Sequence, residues 1–119
     1  MEKRILIVDD EQDIVNFMEK FLKRFKISGV KAYSGEEALL LYDKNKIDFI
    51  FLDINMKGID GLSVLAELKI INPDVKVFII TGSQGEEARK IALSLGALDF
   101  ITKPLDLNDL KEKIEKYIL

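Results

Sequence analysis

The chain of 119 residues contains no cysteine and no histidine. The first absence excludes a disulfide framework and any thiolate metal site. The second excludes imidazole as a general base or metal ligand. Side chains can therefore hold only a hard, oxygen-liganded cation such as Mg²⁺ or Mn²⁺. Long hydrophobic runs are missing too, so no stretch approaches transmembrane length. The opening Met1-Glu2-Lys3-Arg4 leads into a short apolar run that ends in acids, unlike a signal peptide. Nor is there a surplus of basic charge. The net charge is −3, with 33% charged residues of both signs, which argues against a nucleic-acid face. The expectation is a cytoplasmic protein with no membrane contact and no direct nucleic acid binding.

What is present suits one domain over 1–119, with no linker, low-complexity segment or second domain. At 48% hydrophobic residues the chain can build a core. Short apolar runs alternate with longer helical periods. Ile5-Leu6-Ile7-Val8 reads as a buried strand ending in Asp9-Asp10-Glu11. Ile14, Phe17, Met18, Phe21, Leu22 and Phe25 are spaced like one helix face. A second strand is expected at Val30 to Tyr33. Ser34-Gly35-Glu36-Glu37 reads as a capping box, with Ala38, Leu41 and Tyr42 on the buried side of its helix.

The stretch Ile47-Asp48-Phe49-Ile50-Phe51-Leu52-Asp53 reads as a central strand buried on both faces, ending in a carboxylate. Asp60 or Gly61 opens a helix carrying Leu62, Leu65, Leu68 and Ile71, which stops at Asn72-Pro73. Val75 to Ile80 reads as a strand ending at Thr81-Gly82. Ala88, Ile91, Ala92 and Leu95 mark a helix closed by Gly96. Leu98 to Ile101 reads as a strand before Thr102-Lys103-Pro104. Asp106 caps a last helix with Leu107, Leu110, Ile114, Tyr117 and Ile118. Five strands alternating with five helices predict an α/β fold: a parallel sheet with helices on both faces, a three-layer sandwich.

The strand ends carry the chemistry. They are Asp9-Asp10, Asp53, Thr81 and Lys103. Ligands of open α/β sheets bind at that edge. Taken singly, each has a plain reading. Asp9 and Asp10 suit a solvated turn and helix cap, Thr81-Gly82 a common turn, and Ser34 with Glu37 a cap. The Phe17, Met18, Phe21 stripe suits core. Taken together, three acids in one crevice would repel unless a divalent cation and Lys103 offset them. That leaves Asp53 able to attack phosphorus, and Thr81 able to donate its hydroxyl to a phosphoryl oxygen.

With these residues assembled, the sequence resembles the receiver domains of bacterial two-component response regulators, the CheY-like fold. The resemblance rests on Ile5-Leu6-Ile7-Val8-Asp9-Asp10-Glu11, Leu52-Asp53-Ile54-Asn55-Met56 with Asp60-Gly61, Thr81-Gly82, and Gly96-Ala97-Leu98-Asp99-Phe100-Ile101-Thr102-Lys103-Pro104. It implies a flavodoxin-like strand order 2-1-3-4-5. Asp53 would be the phosphoacceptor. Asp10, Asp53 and the Asn55 main-chain carbonyl would bind Mg²⁺ directly, and Asp9 through a metal-bound water. Lys103 would reach the phosphoryl group. Thr81 would be the switch hydroxyl and Phe100 the aromatic switch. Lys103-Pro104 would be a cis peptide.

The implied donor is a phosphohistidine on a sensor histidine kinase or a histidine phosphotransfer protein. The implied readout is a downstream target protein, with the chain a monomer or a phosphorylation-dependent homodimer. Gln12, Val15, Asn16, Met18 and Leu105 are the expected docking residues. Lys57 stands where the family usually has proline, which predicts a more mobile loop beside Asp53, readable by hydrogen exchange. Asn55 and Ser83, as small polar groups, predict a short-to-intermediate acyl-phosphate lifetime. Rival readings are a flavodoxin-type cofactor binder, a haloacid-dehalogenase-like phosphatase and a scaffold that is never phosphorylated. The acids after the first strand and the shortness of the chain weigh against the first two.

Overall fold

A computed structural model of the chain describes residues 2–43, 46–56, 58, 60–82 and 86–119. The elements run β1 (Arg4–Val8), α1 (Gln12–Lys23), β2 (Ser28–Ala32), α2 (Gly35–Leu41), β3 (Phe49–Asp53), α3 (Gly61–Ile71), β4 (Val77–Thr81), α4 (Glu86–Ser94), β5 (Asp99–Thr102) and α5 (Leu107–Tyr117). The five strands form one parallel sheet in the order β2-β1-β3-β4-β5, as expected.

Alternation along the strands divides the core into two layers. Leu6, Val8, Ile50, Leu52, Val77 and Ile79 pack against α2, α3 and α4. Ile5, Ile7, Phe49, Phe51, Phe78 and Ile80 pack against α1 and α5. Every residue of β3 and β4 is buried. That is why their sequences run apolar without period-two alternation. Burying each of their apolar side chains contributes about 1.5–3 kcal/mol.

Local signals fix the ends. Ser34 Oγ accepts from Glu37 N at 3.0 Å, and Glu37 Oε1 accepts from Tyr33 N at 2.7 Å. This is a capping box whose return arm reaches one residue further back. Asp60 Oδ1 accepts from Leu62 N at 2.7 Å and opens α3. Gly96 has φ +99, and Ala97 N returns to Ala92 O at 3.0 Å, closing α4 with a left-handed cap.

Several expectations are corrected. β2 begins at Ser28 and ends at Ala32, because it pairs with β1 from Arg4 onward. Val75 precedes β4 but is buried all the same. Phe17 is 41% exposed, whereas Val15 and Met18 are fully buried. At 100° per residue, Val15, Met18 and Leu22 share the centre of the apolar stripe and Phe17 falls at its rim. Val15 and Met18 are therefore core residues and cannot serve as exposed docking residues. Leu41, Ile71, Ile91, Leu95 and Leu107 are likewise exposed, each lying near a helix end or off the buried stripe.

Candidate functional site

Parallel strands bring their carboxyl ends to one edge, and the register decides which residues meet there. Val8 lies beside Leu52, so Asp9 follows β1 next to Asp53 at the end of β3. Asp53 lies beside Ile80, and Thr81 beside Thr102. The next residue is Lys103, whose N–H donates to the Thr81 carbonyl at 2.8 Å. The Lys103-Pro104 peptide is cis.

Lys103 Nζ stands among carboxylates. It lies 2.9 Å from Asp9 Oδ2, 3.1 Å from Asp53 Oδ2 and 3.3 Å from Glu11 Oε1. Asp9, Asp53 and Thr81 are the buried polar or charged residues among those described. Asp53 is held at both oxygens, since its Oδ1 accepts the Asn55 N–H at 2.8 Å. Asp9 Oδ1 accepts the Glu11 N–H at 3.0 Å. Asp9 Oδ2 touches the ammonium, yet makes no well-aligned hydrogen bond among the described residues. Asp10 is exposed at the same edge, and Asp9, Asp10 and Asp53 each bring a carboxylate oxygen within 4.8 Å of the others. An open cleft of about 580 Å³, lined by Asp10, Glu11, Tyr33 and Asn55, lies beside them. Among the described residues, Thr81 donates its hydroxyl to the adjacent Gly82 carbonyl, at a long 3.3 Å.

The electrostatics follow from burial and crowding. Burial pushes the Asp9 carboxyl up, and the charge of Asp53 adds to this. The Glu11 N–H and Lys103 offset only part of the effect. Burial alone would lower Lys103, but its close contacts with the Asp9 and Asp53 carboxylates outweigh that and raise it. Lys103 therefore stays cationic, and its ammonium stands among the carboxylates of Asp9, Glu11 and Asp53, with the Asp10 carboxylate at the same edge. That excess of negative charge, the all-oxygen donor set and the undirected Asp9 Oδ2 fit a hard divalent cation.

The structure thus brings Asp9, Asp10, Asp53, Asn55, Thr81 and Lys103 to one edge. Phe100 sits one residue before the Ile101-Thr102 end of β5, half-buried against the α2–α4 layer. Leu105 is half-buried, and Gln12 and Asn16 are exposed. Lys57 and Ser83 lie outside the described residues, so the loop and lifetime expectations built on them gain nothing here.

Two residues make contacts that the sequence does not signal as such. Glu11 reaches Lys103 across 92 residues of chain. Arg89 of α4 covers Phe100 and bonds Thr102. Glu11 at least stands beside the acid pair, whereas nothing in the sequence around Arg89 signals its contacts.

Comparison with known proteins gives the same picture. Residues 5–115 match the response regulator receiver domain family. The transcriptional regulatory protein ZraR of Salmonella typhimurium is 35% identical over 112 residues, covering 94% of this chain. The chain spans only 25% of that relative's length. Sporulation initiation phosphotransferase F of Bacillus subtilis is 29% identical over 118 residues, covering 99% of this chain and 95% of the relative. The receiver domain of NtrX from Brucella abortus superposes with a TM-score of 0.87 at 33% identity, covering 94% of this chain and 95% of that one. Phosphorylation and Mg²⁺ binding at an acidic cluster are typical of this family, whose members work with histidine kinases and downstream effectors. With its five-stranded sheet and the whole of that edge inside the matched span, the chain belongs to the response regulator receiver domains of two-component systems.

Proposed function

We propose that residues 1–119 act as one phosphorylation-controlled receiver whose phosphoacceptor is Asp53. The observation that carries this reading is the Lys103 ammonium between the buried carboxylates of Asp9 and Asp53. Asp10, Asp53 and the Asn55 main-chain carbonyl would hold Mg²⁺, with Asp9 acting through a bound water. When bound, the metal supplies charge neutralisation for the phosphoryl oxygens.

The chain's own residues do the rest. An Asp53 oxygen attacks the phosphorus of a phosphohistidine on a partner kinase or phosphotransfer protein. The new O–P bond forms as the P–N bond breaks, and the imidazole leaves with the electron pair. Lys103, already cationic, leans from the Asp53 carboxylate to the phosphoryl oxygens. The Asn55 N–H keeps the acceptor oriented. Thr81, whose own hydroxyl bond is long and local, turns toward the phosphoryl group. Phe100 then moves inward behind it, and the surface of α4, β5 and α5 changes for a target protein. This is a population shift between two packings, with a coupling of about 1–3 kcal/mol. Water later attacks the phosphorus, the Asp53 O–P bond breaks and phosphate leaves.

The test is intact mass after incubation with acetyl phosphate, with and without Mg²⁺. One added phosphoryl group is expected in wild type with Mg²⁺, and none without the metal or in Asp53→Asn. A fast-hydrolysing adduct is guarded against by following beryllofluoride binding in NMR spectra. A folded wild type that gains no mass and binds no beryllofluoride would favour a scaffold that is never phosphorylated.

A further inference from the structure

Arg89 lies in none of the stretches that define the site, yet it holds Thr102, the strand neighbour of Thr81, and Phe100, two residues before it. Its guanidinium carbon lies 4.4 Å from the centroid of the Phe100 ring. Its Nη2 donates to Thr102 Oγ1 at 2.8 Å. Phe100 and Thr102 are two residues apart on β5, so both side chains face the same layer as α4. Across the sheet Ile79 lies beside Phe100, and Thr81 beside Thr102. A single side chain of α4 therefore grips the aromatic ring and the strand neighbour of Thr81 together.

Two further observations give this contact its meaning. Arg89 Nε is buried and has no hydrogen-bond partner among the described residues. A buried unpaired donor is costly, so the guanidinium is held over the ring in an arrangement that leaves one donor unspent. In addition, Ala92 is the one buried residue of α4, while Ile91 and Leu93 are 43% and 46% exposed. With so small an apolar footprint, the helix leans on Arg89 for its attachment to β5.

We propose that Arg89 is a positioning residue that clamps α4 to β5, holding Phe100 in its half-buried place and opposing the switch. The proposal rests on the receiver reading given above. When Thr81 moves toward a phosphoryl group on Asp53, the ring can follow only by sliding from beneath the guanidinium. The cation–π contact and the Thr102 bond are then both given up. Arg89 is released, α4 loses its main polar tie to β5, and the change at Asp53 reaches the surface of that helix. The clamp thus sets how much phosphorylation is needed and links the ring to α4.

The test uses the whole chain with beryllofluoride and Mg²⁺ as the phosphoryl mimic. It reads the Phe100 ring and Thr102 methyl NMR signals together with beryllofluoride affinity. Losing a cation–π contact should tighten beryllofluoride binding in Arg89→Ala by about fivefold. The Phe100 and Thr102 signals of the unliganded variant should move part of the way toward their liganded positions. Thr102→Val, which removes only the hydrogen bond, should move the Phe100 ring signals and the beryllofluoride affinity in the same direction by less. Should Arg89→Ala fail to fold, Arg89→Lys decides, because it keeps the charge but not the planar fork. About twofold tightening is then expected, and unchanged readouts overturn the clamp. A wild type that binds beryllofluoride, with Arg89→Ala equal to it or weaker, overturns the clamp and leaves the receiver reading standing. A wild type that binds none and accepts no phosphoryl group overturns both.

Discussion

Asp99 sits at the start of β5, on the opposite side of Phe100 from the phosphoacceptor edge. Its Oδ1 accepts the Phe100 N–H at 2.8 Å, its Oδ2 accepts the Tyr117 hydroxyl at 2.8 Å, and Lys113 Nζ stands 3.7 Å away. Burial alone would raise this carboxyl, but those three contacts outweigh it and hold the group below the ordinary carboxylate range. A depressed folded value means that the stabilisation is fully present above the ordinary unfolded value. It is lost as pH falls through the folded value. Asp99→Asn should therefore be less stable than wild type near neutral pH, by about 1 kcal/mol for a partly exposed site. The gap should close as pH drops below about 4. Urea titrations at a series of pH values measure this; a gap that stays constant across the series would contradict the argument. Tyr117 also meets Phe78 edge-on at 5.3 Å, so the same contact ties α5 to the core beneath β4.

Among the elements, α3 is the one whose approach to the site leaves no slack. Its first residue is Gly61, and a Cβ there would collide with Ile54 Cα and lie 2.7 Å from the Asp53 carbonyl oxygen. Both are backbone atoms, which cannot step aside as a flexible side chain can. Gly61→Ala must push α3 away from the end of β3 or bend the chain just after Asp53. Such overpacking costs about 1–3 kcal/mol. It should also slow phosphorylation by acetyl phosphate, because Asp53 and the Asn55 N–H that orients it belong to that segment. Denaturant midpoint and initial phosphorylation rate are the two readouts. A variant unchanged in both would show that α3 has more freedom than the packing implies. Gly96 presents the milder case. There a Cβ would meet the flexible end of Lys69, although its φ of +99 still favours glycine.

At the scale of the whole molecule, folding itself assembles an electrostatic problem. The sheet collects the carboxylates of Asp9, Asp10 and Asp53 from two distant parts of the chain, with Lys103 paired to Asp9 and Asp53. In the unfolded chain these acids are far apart and solvated. Any cation held by the assembled cluster therefore binds the folded state in preference. Under the receiver reading, Mg²⁺ at about 100 times its Kd should stabilise the fold by about 2.7 kcal/mol. Thermal melts should rise by several degrees with added Mg²⁺, and Asp10→Asn should remove most of that rise. A wild-type midpoint indifferent to Mg²⁺ would count against the assignment of the cluster as a metal site.

The sequence by itself determined the order of elements, the two-faced burial of β3, and the residues at each strand end. Apolar runs of strand length, helical periods and caps such as Asp60, Asp106 and Gly96 are local signals, set by sterics and hydrogen bonds within a few residues. It also named Asp9, Asp10, Asp53, Thr81 and Lys103 as a group, because a parallel sheet sends all its carboxyl ends the same way. Only the tertiary structure decided the rest. Whether Phe17 or Val15 lies in the core depends on the rotation of α1 against the sheet, which a spacing of three and four leaves open by one helical position. That Glu11 reaches Lys103, and that Arg89 covers Phe100 and bonds Thr102, depends on how neighbouring layers slide into register. Long polar side chains can span such gaps in many directions. Which partner they reach is fixed by packing, and no local pattern in the chain encodes it.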